Sequence, residues 1–185
     1  MGKVPAMGRK EDKEKRQPNP QKTLSTSVDV DAKLQQAISL YQIGQLQQAE
    51  QICQQILKDF PQHANAIHLL GVIAYQVEEY KIATDLISRA IGIDSGQSLF
   101  YINLGNVLQE QGRLEESIQA YQQAIHLQPD HADAYSGLGI VLQKQGKLEE
   151  SIKAYQQAIR IQPEHTGAYS NLIFAQDFHL DIGLK

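Results

Sequence analysis

The sequence predicts an all-α fold, a right-handed superhelical solenoid of antiparallel helix hairpins, on three observations. Shifting the chain by 34 residues lays 98–131 over 132–165 with 22 identities in 34 positions. Within each unit, apolar residues recur three and four apart, the spacing that places side chains on one helix face. Glycine in mid-unit and proline at its close punctuate the period where helices must end. A match this long at one fixed period marks a repeat array, in which each hairpin buries too little surface alone and is stabilised by its neighbours.

The register gives four units, 30–63, 64–97, 98–131 and 132–165, and the first helix of a fifth up to 177. The first helix of a unit carries Leu104, Gly105 and Leu108, or Leu138, Gly139 and Leu142. Glycine in such a stripe has no Cβ and lets the partner helix approach, despite a propensity cost of about 1 kcal/mol. A turn with Gly44, Gly112 or Gly146 follows, and Leu46, Tyr80, Leu114 or Leu148 opens the second helix. That helix presents a buried stripe of Ala49, Ala83, Ser117 and Ser151, then Cys53, Ile87, Tyr121 and Tyr155, then Ile56, Ala90, Ala124 and Ala158. Pro61, Pro129 and Pro163 stop it. The second unit lacks the proline, and Asp94, Ser95 and Gly96 are expected to turn the chain there through side-chain bonding and glycine freedom.

The formal net charge of −4 divides unevenly: residues 1–27 carry +4 and the remainder −8. Residues 1–29 read as a disordered basic tail and 178–185 as a C-terminal tail. An acidic body argues against nucleic acid as a partner. No stretch of 18 apolar residues suggests a transmembrane segment, and no apolar core follows the basic start, so the expected location is cytoplasmic. Cys53 is the single cysteine; it forms no intrachain disulfide, and its place in the stripe makes it a buried apolar residue. His131 and His165 read as repeated loop positions, and Glu115–Glu116 and Glu149–Glu150 as helix-opening charges favoured by the helix dipole. No catalytic residue, metal site or cofactor is expected, and the chain reads as non-enzymatic.

Tyr101, Leu104, Gly105, Leu108, Ser117, Tyr121, Ala124 and Pro129, and their counterparts from Tyr135 to Pro163, follow the pattern of the tetratricopeptide repeats, which the chain resembles over about 30–177. The stretches NAIHLLGVIAYQ at 65–76 and AYSNLIFAQDFHLDIG at 168–183 are similar to the repeat region of bacterial proteins related to O-linked N-acetylglucosamine transferase and the SPINDLY proteins. The catalytic region of those proteins has no counterpart in this chain. Their resemblance implies asparagines along an inner groove, matched here by Asn103, Asn106 and Asn171, whereas Gln35, Leu69 and Gly137 stand where Asn103 does in other units, and Val72 and Ile140 where Asn106 does.

The inner surface is expected to be lined by first helices, through His68, Ile102, Asn103, Asn106, Gln109, Glu110, Ser136, Ile140, Gln143, Lys144, Ser170 and Asn171. This amide-rich, mildly apolar set suits an extended peptide or a helix, and it lacks the rows of Lys and Arg that capture a terminal carboxylate. The leading expectation is a module that binds another protein or peptide; the alternative is the substrate-recognition region of a nucleotide-sugar-dependent protein O-glycosyltransferase. Self-association is a further expectation, through Ile173, Phe174, Phe178 and Leu180 of the C-terminal helix.

Overall fold

The computed structural model describes the backbone of residues 20–183 and the side chains of residues 28–177. The described residues form α1 (Pro20–Gln42), α2 (Leu46–Asp59), α3 (Ala64–Gln76), α4 (Tyr80–Ile93), α5 (Ser98–Glu110), α6 (Leu114–Leu127), α7 (Ala132–Lys144), α8 (Leu148–Ile161) and α9 (Thr166–Gly183). From α4 to α9 each helix begins 34 residues after its equivalent in the preceding unit, as the period requires.

Both ends of the array differ from the boundaries read in the sequence. Residues 20–29, assigned above to the tail, are helical, because proline is tolerated in a first turn and no breaker follows before Gln42. Helix α9 likewise runs on to Gly183, past the expected boundary at 177. The rest of the expected basic tail, residues 1–19, and the last two residues lie outside the described part.

Hairpin partners pack along their lengths, and each even-numbered helix also touches the next odd-numbered one. Consecutive odd helices touch one another, whereas consecutive even helices do not. The odd layer is therefore the tight inner side of the stack and the even layer its splayed outer side.

The core lies where the two layers meet. Ala49, Ala83, Ser117 and Ser151 are fully buried, as are Cys53, Ile87, Tyr121 and Tyr155. Opposite these larger residues the inner helix offers bare backbone: a Cβ on Gly71 would stand 2.7 Å from Ile87, on Gly105 2.9 Å from the Tyr121 ring, and on Gly139 2.5 Å from the Tyr155 ring. Ser117 Oγ donates to Gly105 O at 2.7 Å, so its hydroxyl is satisfied inside the core, while Ser151 Oγ has no partner. At the end of the second unit, Asp94 accepts from Gly96 N at 3.0 Å and from Gln97 Nε2 at 2.9 Å. The side-chain turn expected in place of proline is thus present.

The turns between paired helices place Gly44, Gly112 and Gly146 at φ of 78, 72 and 78°. The equivalent residue of the second unit is Glu78, held at φ 64°, where an L side chain is disfavoured by about 1–2 kcal/mol. Replacing it with glycine removes that strain but adds freedom to the unfolded chain. We expect Glu78→Gly to stabilise the protein by about 0.5–1 kcal/mol in urea unfolding; a lowered midpoint would contradict the assigned turn.

Candidate functional site

The inner face holds two hollows separated by the middle of the stack. The first, of about 480 Å³, lies across α1, α3 and α5. Leu34, Ile38, Leu69 and Val72 supply its apolar surface, Leu99 and Phe100 its far wall, and Gln35, Asn65 and Asn103 its polar groups. No Asp, Glu, Lys or Arg lines it.

His68 is fixed within this wall. It is only 8% exposed, its ring stacks on Phe100 with centroids 4.3 Å apart, and its Nε2 is hydrogen-bonded to the Asn103 amide at 2.9 Å. Burial lowers its pKa from 6.5 to about 4. The imidazole is therefore neutral near pH 7, and the hollow carries no formal charge.

The second hollow, of about 540 Å³, is formed by Ile140, Gln143 and Lys144 of α7, Leu148 and Tyr155 of α8, and Asn171 and Phe174 of α9. Phe174 is 63% exposed. Tyr155 donates its hydroxyl proton to Gln143 Oε1 at 2.9 Å. This hollow therefore presents a cation and an exposed aromatic ring where the first presents neutral amides.

Tyr121 of α6 is fully buried and lines neither hollow. A Cβ on Gly137 would fall 2.5 Å from its ring, so the ring is held between the bare backbones of Gly105 and Gly137, from successive units. Its hydroxyl donates to Asn106 Oδ1 at 2.6 Å. An asparagine at 137 would collide with that ring as it stands. Ile140 cannot accept as Asn106 does, and Tyr155 bonds Gln143 instead.

The expected groove residues thus separate into groups. His68 and Asn103 meet in the first hollow, and Ile140, Gln143, Lys144 and Asn171 in the second. Asn106 is engaged by Tyr121. Gln109 and Glu110 lie together beyond Asn106, their side chains 3.4 Å apart. Ile102 and Ser136 are buried and line neither hollow, and Ile102 packs with Ala134 and Val141 of the following unit. The fifth place is buried in each of the first four units, with Leu34 and His68 in the other two. In the fifth unit the same place, Ser170, is exposed, and its hydroxyl donates to Thr166 O at 3.1 Å.

The sequence reading did not place Asn65 or Leu99 in the first hollow, nor Leu148, Tyr155 and Phe174 in the second. Position within the repeat was the available signal, since Asn65 and Leu99 occupy equivalent places in successive units. Two histidines also serve the helices. His63 Nδ1 accepts from Ala66 N at 3.2 Å and His165 Nδ1 from Ala168 N at 3.1 Å, each satisfying a first-turn amide. His165 Nε2 is then the protonated nitrogen and donates to Asp133 Oδ1 at 3.1 Å. Cys53 is inert in this setting, its thiol pushed up to about 11 by burial and by Glu50. Among the described residues, no group of three or more His, Cys, Asp and Glu is arranged to hold a metal ion, and no helix is long and apolar enough to cross a membrane.

The neutral His68 makes stability pH-dependent in a defined direction. Between pH of about 6.5 and about 4 the unfolded chain binds a proton that the folded chain refuses, so stability falls as the solution is acidified through that window. Wild type is expected to lose about 2–3 kcal/mol more across it than His68→Gln, followed by urea unfolding at each pH. Parallel pH profiles for the two proteins would contradict a neutral, buried His68.

Known proteins match the chain along its length. A TPR repeat model matches residues 105–146, and tetratricopeptide repeat models match 132–165 and 31–63. The protein O-mannosyl-transferase TMTC1 of Mus musculus is 30% identical over 96 residues, which is 50% of this chain and 10% of that protein. A mutant O-GlcNAc transferase of Thermobaculum terrenum superposes with a TM-score of 0.69 at 29% identity, over 72% of this chain and 26% of that one. PilF of Pseudomonas aeruginosa superposes at 0.77 over 82% of this chain and 69% of its own, with 23% identity, a likeness of fold. The chain thus spans a tenth of the first and about a quarter of the second. With matched units in both halves of the stack and the same 34-residue hairpin repeated between them, the chain belongs to the tetratricopeptide-repeat proteins, a fold generally used for protein–protein interaction.

Proposed function

We propose that the chain binds a peptide or protein segment along its inner face, with the hollow across α1, α3 and α5 as the principal anchor point. The observation that carries this reading is the composition of that hollow: an apolar floor beneath neutral amides, with no charged side chain in its lining. Such a surface offers burial to one or two aliphatic or aromatic side chains and hydrogen bonds to an extended backbone. It offers nothing to a terminal carboxylate, which needs concentrated positive charge.

A second reading takes the same groove as the substrate-recognition part of a nucleotide-sugar-dependent protein O-glycosyltransferase. It is supported by the likeness, near 30% identity, to an O-mannosyl-transferase and an O-GlcNAc transferase. The intact mass of the native gene product tests it. A much longer chain that glycosylates groove-binding peptides supports the reading; a native product of this length contradicts it.

Peptides selected from a display library against the full chain test the main reading. Dissociation constants of peptides anchored in the first hollow should change less than about threefold between about 50 and about 500 mM NaCl, because no charged side chain lines that hollow. Leu69→Asp should weaken them by at least about tenfold, by placing a charge on the apolar floor. Peptides that bind wild type and Leu69→Asp alike would contradict the assignment.

A further inference from the structure

The second unit departs from the third and fourth at three places that meet on the outer face, while the first unit shares its apolar character at two of them, with Ile43 and Ile52. Just after the first helix, the third and fourth units carry Gln111 and Gln145, and the second carries Val77. In the first turn of the following helix they carry Glu116 and Glu150, and the second carries Ile82; one turn on, Ala120 and Ala154 correspond to Leu86.

The glutamines bridge the outer seam. Gln111 Nε2 donates to Thr84 Oγ1 at 3.1 Å, and Gln145 Nε2 to Glu115 Oε1 at 2.9 Å, each reaching the preceding even-numbered helix. Val77 has no donor. The seam between α2 and α4 stays open as a cleft of about 250 Å³ over Ile73 and Ala74 of α3. Val77 and Ile82 stand at its mouth, 52% and 50% exposed, although both are large apolar residues on a surface position that is polar in the next two units.

The charge around the cleft has one sign. Glu50 of α2 and Glu79, the residue before α4, line it, and no Lys, Arg or His does. Glu50 accepts a hydrogen bond from Gln54 and Glu79 forms no salt bridge. Glu78, next to Glu79 in the chain, is held at the positive φ that the other turns give to glycine. An apolar cleft rimmed by carboxylates complements an apolar side chain flanked by cations.

We propose that this cleft docks an amphipathic helix of a partner protein, inserting one aliphatic or aromatic anchor between Val77 and Ile82 while Lys or Arg one turn to either side meets Glu50 and Glu79. Helix geometry suits the arrangement, since residues three and four apart share a face. The cleft lies on the opposite layer from the inner hollows, so occupation of one leaves the other open.

The test uses the full chain and a synthetic helical peptide with Leu along one face and Lys on the flanking positions, beside a counterpart with Glu for every Lys. The Lys peptide should shift the methyl resonances of Val77, Ile82 and Ile73 and leave those of Leu69 and Leu99 unmoved. Its affinity should fall about tenfold between about 50 and about 500 mM NaCl. Val77→Gln, which installs the residue of the third and fourth units, should weaken it about tenfold or more, and Glu50→Gln with Glu79→Gln should remove most of the salt dependence. Binding that persists unchanged in Val77→Gln, equal binding of the Glu peptide, shifts confined to the inner face, or no binding at millimolar peptide would each overturn the proposal. Because inner-face binding is expected to be insensitive to salt, its failure is distinguishable from the failure of this site.

Discussion

The close approach of a large outer-helix side chain to bare inner-helix backbone sets the geometry of the stack. Tyr121 shows it most fully: its ring is held against Gly105 within its own unit and against Gly137 in the next, and its hydroxyl reaches Asn106. A methyl group at either glycine would need space that the ring occupies. The contact therefore ties together the hairpin, the inter-unit step and the inner surface. After Cys53 and Ile87 the following unit carries Leu69 and Asn103 in the place of Gly137, and after Tyr155 it carries Asn171. Leu69 and Asn103 line the first hollow and Asn171 the second, so the residue at this one place of the repeat sets much of the groove chemistry.

That link makes the two ends of the inner face chemically unlike. The first hollow is neutral because its polar groups are amides and because burial keeps His68 uncharged. The second contains Lys144 and the exposed Phe174. The outer face varies in its own way: glutamine bridges close two seams, and valine leaves one open. A regular backbone thus carries three surfaces of different chemistry, each set by a few substitutions at fixed places in the repeat.

The hairpins, their boundaries between Leu46 and Ile161, and the buried stripe were legible because period and side-chain spacing report directly on helix packing. The candidate site was legible only in part. Ile102 and Ser136 are both buried, and Ile102 packs with Ala134 and Val141 of the following unit, a contact that no single unit displays. His165 was read as a loop residue because ring orientation, which lets Nδ1 accept a first-turn amide, is not encoded in spacing. Glu78 shows the converse. It stands at the place of Gly44, Gly112 and Gly146 in the turn, and the backbone keeps the same positive φ although the residue there is not glycine. Helix α1 begins before the repeat does, since capping and continuity follow the local sequence whatever the period.

The account rests on the claim that the hollow across α1, α3 and α5 receives a partner's side chains. Methyl spectra of the full chain, titrated with a peptide selected on it, test this most directly. The predicted result is saturable shifts at Leu34, Leu69, Val72 and Leu99, with the Val77 and Ile82 methyls unmoved. Shifts confined to α8 and α9, or absent from the inner face while the peptide is bound, would contradict it.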